Sequence, residues 1–156
     1  WSSDVCSSDL ITARELIDHF GGGVWKGRRA KAVIPGGISM GIMTEDELDT
    51  PLDFAGPGTV GCLGLGTAAV VVVDETVSIV DFLHNSCRFF AHESCGQCTP
   101  CRVGCEKAVK LMEKDKWDQD LLEDLSQAMV DASICGLGQA APNPIRLTMK
   151  HFPDEV

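Results

Sequence analysis

No stretch of this 156-residue chain approaches the roughly 20 consecutive apolar residues that a membrane-spanning helix needs. The densest run, Ala68 to Val73, has the length of a strand, so any membrane association would have to come through a partner. Positive charge is scarce. Only 13 lysines and arginines face 23 aspartates and glutamates, for a formal net charge of −10. So acidic a chain repels phosphate backbones, and it has neither a basic tract nor an aromatic run on which bases stack; nucleic acid is not an expected partner. The N-terminus has no positive n-region and no apolar h-region, so it does not read as a secretory signal peptide. Without one, a secreted disulfide scaffold loses its usual context. What remains is ordinary in bulk: 44% apolar and 23% charged residues, enough for one domain or two small ones with a modest core. Cysteine is the exception, with eight in the chain.

The opening string Trp1-Ser2-Ser3-Asp4-Val5-Cys6-Ser7-Ser8-Asp9-Leu10 lacks an initiating methionine. It resembles the conceptual translation of a sequencing adaptor. On that reading residues 1–10 are artefact, Cys6 leaves the count, and the natural coding sequence extends upstream of Ile11.

From there the chain changes character once. Thr12-x-x-Glu15 is a capping box, and Leu16, Ile17 and Phe20 follow at near-helical spacing, predicting a helix over 12–20 that Gly21-Gly22-Gly23 ends. Arg29 to Ile34 reads as a strand closed by Pro35-Gly36-Gly37, and Thr67 to Val73 as a buried strand closed by Asp74. Residues 39–57 show little periodicity. After Thr76 the period turns helical, with Val77, Val80, Leu83, Cys87 and Phe90 on one face. Thr99-Pro100, Asp118 and Asn143-Pro144 each read as a helix start, giving four helices in the second half. The fold class is α+β, with a boundary near residues 74–76.

The chemistry lies in Ser94-Cys95-Gly96-Gln97-Cys98-Thr99-Pro100-Cys101-Arg102, a C-x2-C-x2-C run, with a remote cysteine in Ser133-Ile134-Cys135-Gly136. Three cysteines at intervals of three wrap one centre when the backbone turns between them, and a fourth ligand arrives from a distant loop; this is how a cubane iron–sulfur cluster is held. Cys98 and Cys101 bracket a helix start, where free backbone N–H groups favour thiolates. Gly96 and Gly136 allow close backbone approach, and Arg102 brings a positive charge. Spacing leaves alternatives open. A structural zinc site more often uses paired C-x2-C knuckles. A thioredoxin-like C-x-x-C expects two cysteines in a strand–helix context. Disulfides lack the secretory context. Cys105, four residues after Cys101, reads as a packing residue, with a substitute ligand as the alternative; Cys62 and Cys87 read as core.

Other patterns carry less. Gly56-x-Gly58-x-x-Gly61 matches a dinucleotide-binding fingerprint but precedes a strand instead of following one, so it reads as a glycine-rich turn. His19, His84, His92 and His151 are scattered. The acidic positions 45–47 and 118–124 face no candidate nucleophile or base, so no catalytic acid–base pair is expected.

With these residues read, the chain from Ile11 onward resembles the C-terminal part of the NADH-binding flavoprotein subunit of NADH:quinone oxidoreductase, respiratory complex I. Ala32-Val33-Ile34-Pro35-Gly36-Gly37, Pro51-Leu52-Asp53-Phe54 and Leu65-Gly66-Thr67-Ala68-Ala69-Val70 resemble its β-grasp, soluble-ligand-binding-like module; residues 93–102 and 133–142 resemble its cluster domain. The resemblance implies a truncated β-grasp module over 11–75 and a four-helix cluster-binding domain over 76–156. It implies that Cys95, Cys98, Cys101 and Cys135 hold a [4Fe–4S] cluster that takes electrons from NADH-reduced FMN. FMN and NAD would bind a separate N-terminal domain, absent here, so this part alone should not be active. Further implications are partner subunits of a multisubunit redox complex, and a cytoplasmic place held peripherally at the inner membrane through them. A diaphorase subunit of an NAD-linked hydrogenase or formate dehydrogenase is the near alternative; a non-redox, zinc-stapled docking module is the distant one. A shortened β-grasp sheet would leave an unpaired edge.

Overall fold

A computed structural model describes residues 11–114 and 116–156; the adaptor reading of residues 1–10 lies outside the described residues. The chain divides into two compact units, one ending at Val77 and the other spanning Ser78–Val156. The architecture is mixed helix and sheet.

The first unit begins with the expected capping box. Thr12 Oγ1 accepts from Glu15 N–H at 3.1 Å, and Glu15 Oε2 accepts from Thr12 N–H at 3.0 Å. The helix it starts, α1 (Ala13–Glu15), continues as a wider π turn over Leu16–Phe20. Strand β1 (Ala30–Ile34) is the centre of a three-stranded antiparallel sheet in the order β2-β1-β3. Strand β2 is only Met43–Thr44, and β3 is Val71–Asp74. A central strand must bury both faces, and β1 does: Ala32, Val33 and Ile34 are all buried.

The buried strand expected over 67–73 is a correction. Ala68 takes a left-handed φ of 56° in a tight turn closed by its N–H to Leu65 C=O at 2.7 Å, so the strand starts only at Val71. There it runs at the sheet edge, with Val71 and Val72 each 37% exposed and only Val73 buried. No strand among the described residues pairs with its outer side. An apolar groove of about 360 Å³, lined by Leu16, Ile17, Phe20, Val70 and Val72, lies beside it. Short α2 (Gly56–Thr59), with Pro57 in its first turn, occupies the glycine-rich segment.

The second unit is helical: α3 (Ile79–Glu93), α4 (Thr99–Met112), α5 (Gln119–Ala132), α6 (Gly136–Ala140) and α7 (Asn143–His151). Five segments thus stand where periodicity predicts four; α6 is a turn and a half, too short to show a period. Ser78 caps α3 by accepting from Asp81 N–H at 3.2 Å, and Asp118 caps α5 through Leu121 N–H at 3.1 Å. Leu83 and Cys87 of α3, Ala108 and Met112 of α4, Leu122 of α5 and Ile145 of α7 meet in one core, which also takes Trp117 and Val156. Val77, expected on the α3 face, precedes the helix and is exposed. Helix α4 starts one residue earlier than the Thr99-Pro100 pattern predicts: Cys98 is its N-cap, and Pro100 fits in the first turn, where a missing N–H costs nothing. The same shift occurs at α7, where Pro142 takes the N-cap position.

Candidate iron–sulfur site

The site is built where the α3–α4 connection meets the loop after α5. Helix α3 ends at Ser94, and the chain turns through Gly96, whose φ of +74° lies in the left-handed region that glycine tolerates. Arg102, on the first turn of α4, folds back and donates through Nη1 to Gly96 C=O at 2.6 Å. Its role in the structure is therefore to tie the C-x2-C-x2-C turn to the helix that follows.

Cys98 stands at the N-terminus of α4 with its sulfur facing the backbone N–H groups of Ile134 and Cys101. These donors hold the Cys98 thiol below its ordinary pKa against the opposing cost of burial; its own N–H pulls the same way more weakly. The approach is looser than a closed side-chain cap, but unsatisfied N–H groups at a helix start favour an anionic sulfur at that range. Cys101, three residues on, is buried. Its Sγ lies 3.3 Å from Ser94 Oγ.

Cys135 is the N-cap of α6 and is exposed. Its loop is fixed from both sides: Gln139 Nε2 donates to Ser133 C=O at 2.9 Å, and Ser133 N–H donates to Met129 C=O at 3.1 Å. The structure thus brings Cys98, Cys101 and the Ser133–Ile134 segment together and puts Cys135 at the next residue. Cys95 is exposed on the turn. Gly136 was expected to admit close approach, but a Cβ there meets nothing within 4 Å. The glycine that permits approach is Gly138, where a Cβ would press on Cys101 and Ser133.

Cys105 is buried against Cys101, and burial, with the neighbouring Cys101 and Cys98, pushes its thiol up to about 12. Cys87 is likewise raised to about 12 by burial and by Cys105. Both are protonated, inert packing thiols at neutral pH. All seven described cysteines are free thiols. His92 is exposed and pairs with Glu93 at 3.1 Å, and His84 lies 3.9 Å from Glu113, so neither histidine is directed at the cysteines.

Among the described residues, no three His, Cys, Asp or Glu side chains converge as closely as a single ion demands. A tetranuclear cluster sets a looser requirement, because each thiolate meets a different iron at a different corner. One orphaned group also fits an anionic sulfur centre. Ser133 Oγ is buried with no hydrogen-bond partner in ordinary geometry, beside Cys101 across Gly138. Such a donor costs free energy until an acceptor meets it, and a thiolate cluster is rich in acceptors. Sequence alone does not single out Ser94 and Ser133; each sits one or two residues before a candidate ligand cysteine, which is the only local signal.

Residues 81–156 match the model of the NADH-ubiquinone oxidoreductase-F iron–sulfur binding region. Over most of its length the chain is also similar to the F subunits of NADH-quinone oxidoreductases: 42% identical over 151 residues to that of Mycobacterium bovis, covering 93% of this chain and 34% of the relative. The second F subunit of Rhizobium meliloti is 39% identical over 151 residues, again 93% of this chain and 36% of the relative. The F subunit of Rickettsia typhi is 36% identical over 153 residues, with 94% and 36% coverage. The chain therefore spans about a third of the length of the curated relatives it matches. Among solved structures, it is similar to a chain of an NAD⁺-reducing [NiFe]-hydrogenase in the H2-reduced state, with a TM-score of 0.78 and 32% identity over 94% of this chain and 25% of that one.

Proposed function

We propose that this chain is the electron-relay part of an F subunit of NADH:quinone oxidoreductase, holding a [4Fe–4S] cluster on Cys95, Cys98, Cys101 and Cys135. The observation that carries the reading is the packing of the loop that carries Cys135 on the first turn of α4, where a Cβ at Gly138 would press on both Cys101 and Ser133; the Ile134 and Cys101 N–H groups accordingly hold the Cys98 thiol below its ordinary pKa. Two segments more than 30 residues apart in sequence thus present donors to one thiolate. A bound cluster supplies one-electron chemistry. The residues do the rest. The four thiolates fix it, backbone N–H groups and hydroxyls offset its negative charge, and buried Cys101 keeps one side from water. Arg102 holds the turn that spaces the first three ligands.

The finer architecture we assign is a truncated β-grasp module in the first unit, supported by its small antiparallel sheet with the π turn after α1 lining a groove beside β3, and a helix bundle of α3, α4, α5 and α7 in the second. FMN and NADH are assigned to the remainder of the longer subunit, so this chain alone should not oxidise NADH. No helix among the described residues is long and apolar enough to cross a membrane, and a peripheral place on the cytoplasmic face, held by partner subunits, is the corresponding reading. The likeness to a chain of an NAD⁺-reducing hydrogenase supports a second reading, a hydrogenase diaphorase subunit, which the neighbouring genes would separate from the first.

The test is iron and acid-labile sulfide per chain after anaerobic reconstitution, with EPR of the reduced sample. About four of each with a reduced-cubane signal is the expected result. Zinc without sulfide in a folded sample would replace the relay by a zinc-stapled docking module.

A further inference from the structure

We propose that Ser94 is a positioning residue that donates a hydrogen bond to the Cys101 sulfur and thereby raises the reduction potential of the cluster; this rests on the cluster reading above. Ser94 ends α3 and faces the first turn of α4, seven residues ahead of Cys101. Its Oγ lies 3.3 Å from Cys101 Sγ and accepts from Gly96 N–H at 3.3 Å. A hydroxyl has one proton to give, and with Gly96 N–H occupying a lone pair that proton is available to the sulfur. A ligating thiolate carries no proton, so in the loaded protein the hydroxyl must be the donor.

Cys101 is buried and Ser94 half-buried, so this bond is partly shielded from water, which raises its electrostatic weight. One-electron reduction by an external reductant adds negative charge to the cluster and its sulfurs. A donor to a ligand sulfur therefore stabilises the reduced form more than the oxidised one, and the potential rises. Gly96 links this contact to the turn itself: the residue that needs a left-handed φ also supplies the N–H that orients the hydroxyl.

The full chain is reconstituted anaerobically as wild type, Ser94→Ala and Ser94→Thr. Iron and sulfide are counted first, and each sample is then titrated with dithionite under EPR. The alanine variant is expected to hold the same iron and sulfide but to shift to lower potential. The reduced-to-oxidised ratio at a fixed poise should fall about tenfold, equivalent to about 59 mV for a one-electron couple. The threonine variant keeps the hydroxyl and should stay at the wild-type value. A loaded alanine variant at the wild-type potential overturns the proposal. If alanine prevents loading, loaded Ser94→Gly decides in its place by the same titration: a potential below wild type supports the hydroxyl donor, and the wild-type potential overturns it. A wild-type chain that binds no iron or sulfide overturns the cluster reading itself, and the count taken first identifies that outcome.

Discussion

Replacing Gly138 by alanine tests whether the α6 loop must lie flush against α4. Gly138 is buried in the middle of α6. An added Cβ would come within 2.7 Å of both Cys101 Cβ and Ser133 Cβ, and closer still to the Ser133 hydroxyl. Two of these atoms are rooted one bond from the backbone, so no rotamer change relieves them. Helix propensity favours alanine by about 1 kcal/mol, while overpacking of this kind costs about 1–3 kcal/mol. Three simultaneous contacts place this site at the top of that range, for a net loss of about 2 kcal/mol. Gly104 is the internal control. Its added Cβ would meet Sδ at 2.5 Å and Cγ at 2.6 Å of Met129, a flexible side chain that can turn aside. Gly104→Ala should therefore cost less, within about 1 kcal/mol of wild type. Urea or thermal unfolding followed by helix content reads both, with about 4–8 °C expected at Gly138. Cluster loading should fall for Gly138→Ala, because separating α6 from Cys101 also separates Ile134 N–H from Cys98. A Gly138→Ala chain as stable as wild type, with full iron content, would refute this account of the loop.

Three other perturbations probe the ligands, the helical core and the sheet. Cys135→Ser should lower iron and sulfide content or yield a three-iron form by EPR, whereas Cys105→Ala should leave the iron count near wild type; the reverse pattern would exchange their roles. Leu83→Ala, at a fully buried core position shared by α3, α4, α5 and α7, should cost about 2–5 kcal/mol in urea unfolding of the helical unit, and a loss below about 1 kcal/mol would contradict that core. Asp74 accepts from the Thr76 hydroxyl at 2.6 Å, from Thr76 N–H at 2.8 Å and from Arg28 Nη1 at 2.9 Å, which together lower its pKa to about 2. A carboxyl held below its unfolded value of about 3.9 contributes stability that is fully present above that pH and fades as pH falls toward 2. The stability gap between wild type and Asp74→Asn should therefore shrink from pH 6 to pH 2 in urea titrations, and a gap independent of pH would exclude that role.

Much of the site was legible in the residues. The C-x2-C-x2-C run and its remote partner name four thiols whatever the backbone does, and Thr12 and Asp118 announce helix starts through side chains that cap locally. What could not be read depended on position in three dimensions. The strand expected over 67–73 failed because apolar composition does not reveal that Ala68 takes a left-handed turn, nor that β3 sits at an edge. The start of α4 moved by one residue because Thr99 is a good cap by type, yet the chain uses Cys98, whose sulfur is drawn to the same N–H groups. Helix α6 was invisible because five residues are too few to show a period. Ser94 and Ser133 gave no signal beyond adjacency, since a serine before a cysteine is unremarkable until the fold places its oxygen on sulfur.

Two of the four proposed ligands, Cys98 and Cys135, are also the N-cap residues of helices. Metal supply and chain survival are coupled by that arrangement. Whatever binds the folded site and not the open chain draws the population toward the folded form by mass action. A chain without its cluster would then be the less stable form of the protein. Abundance of the protein would then follow iron availability with no dedicated regulator, because the two residues proposed to hold the metal also cap the helices.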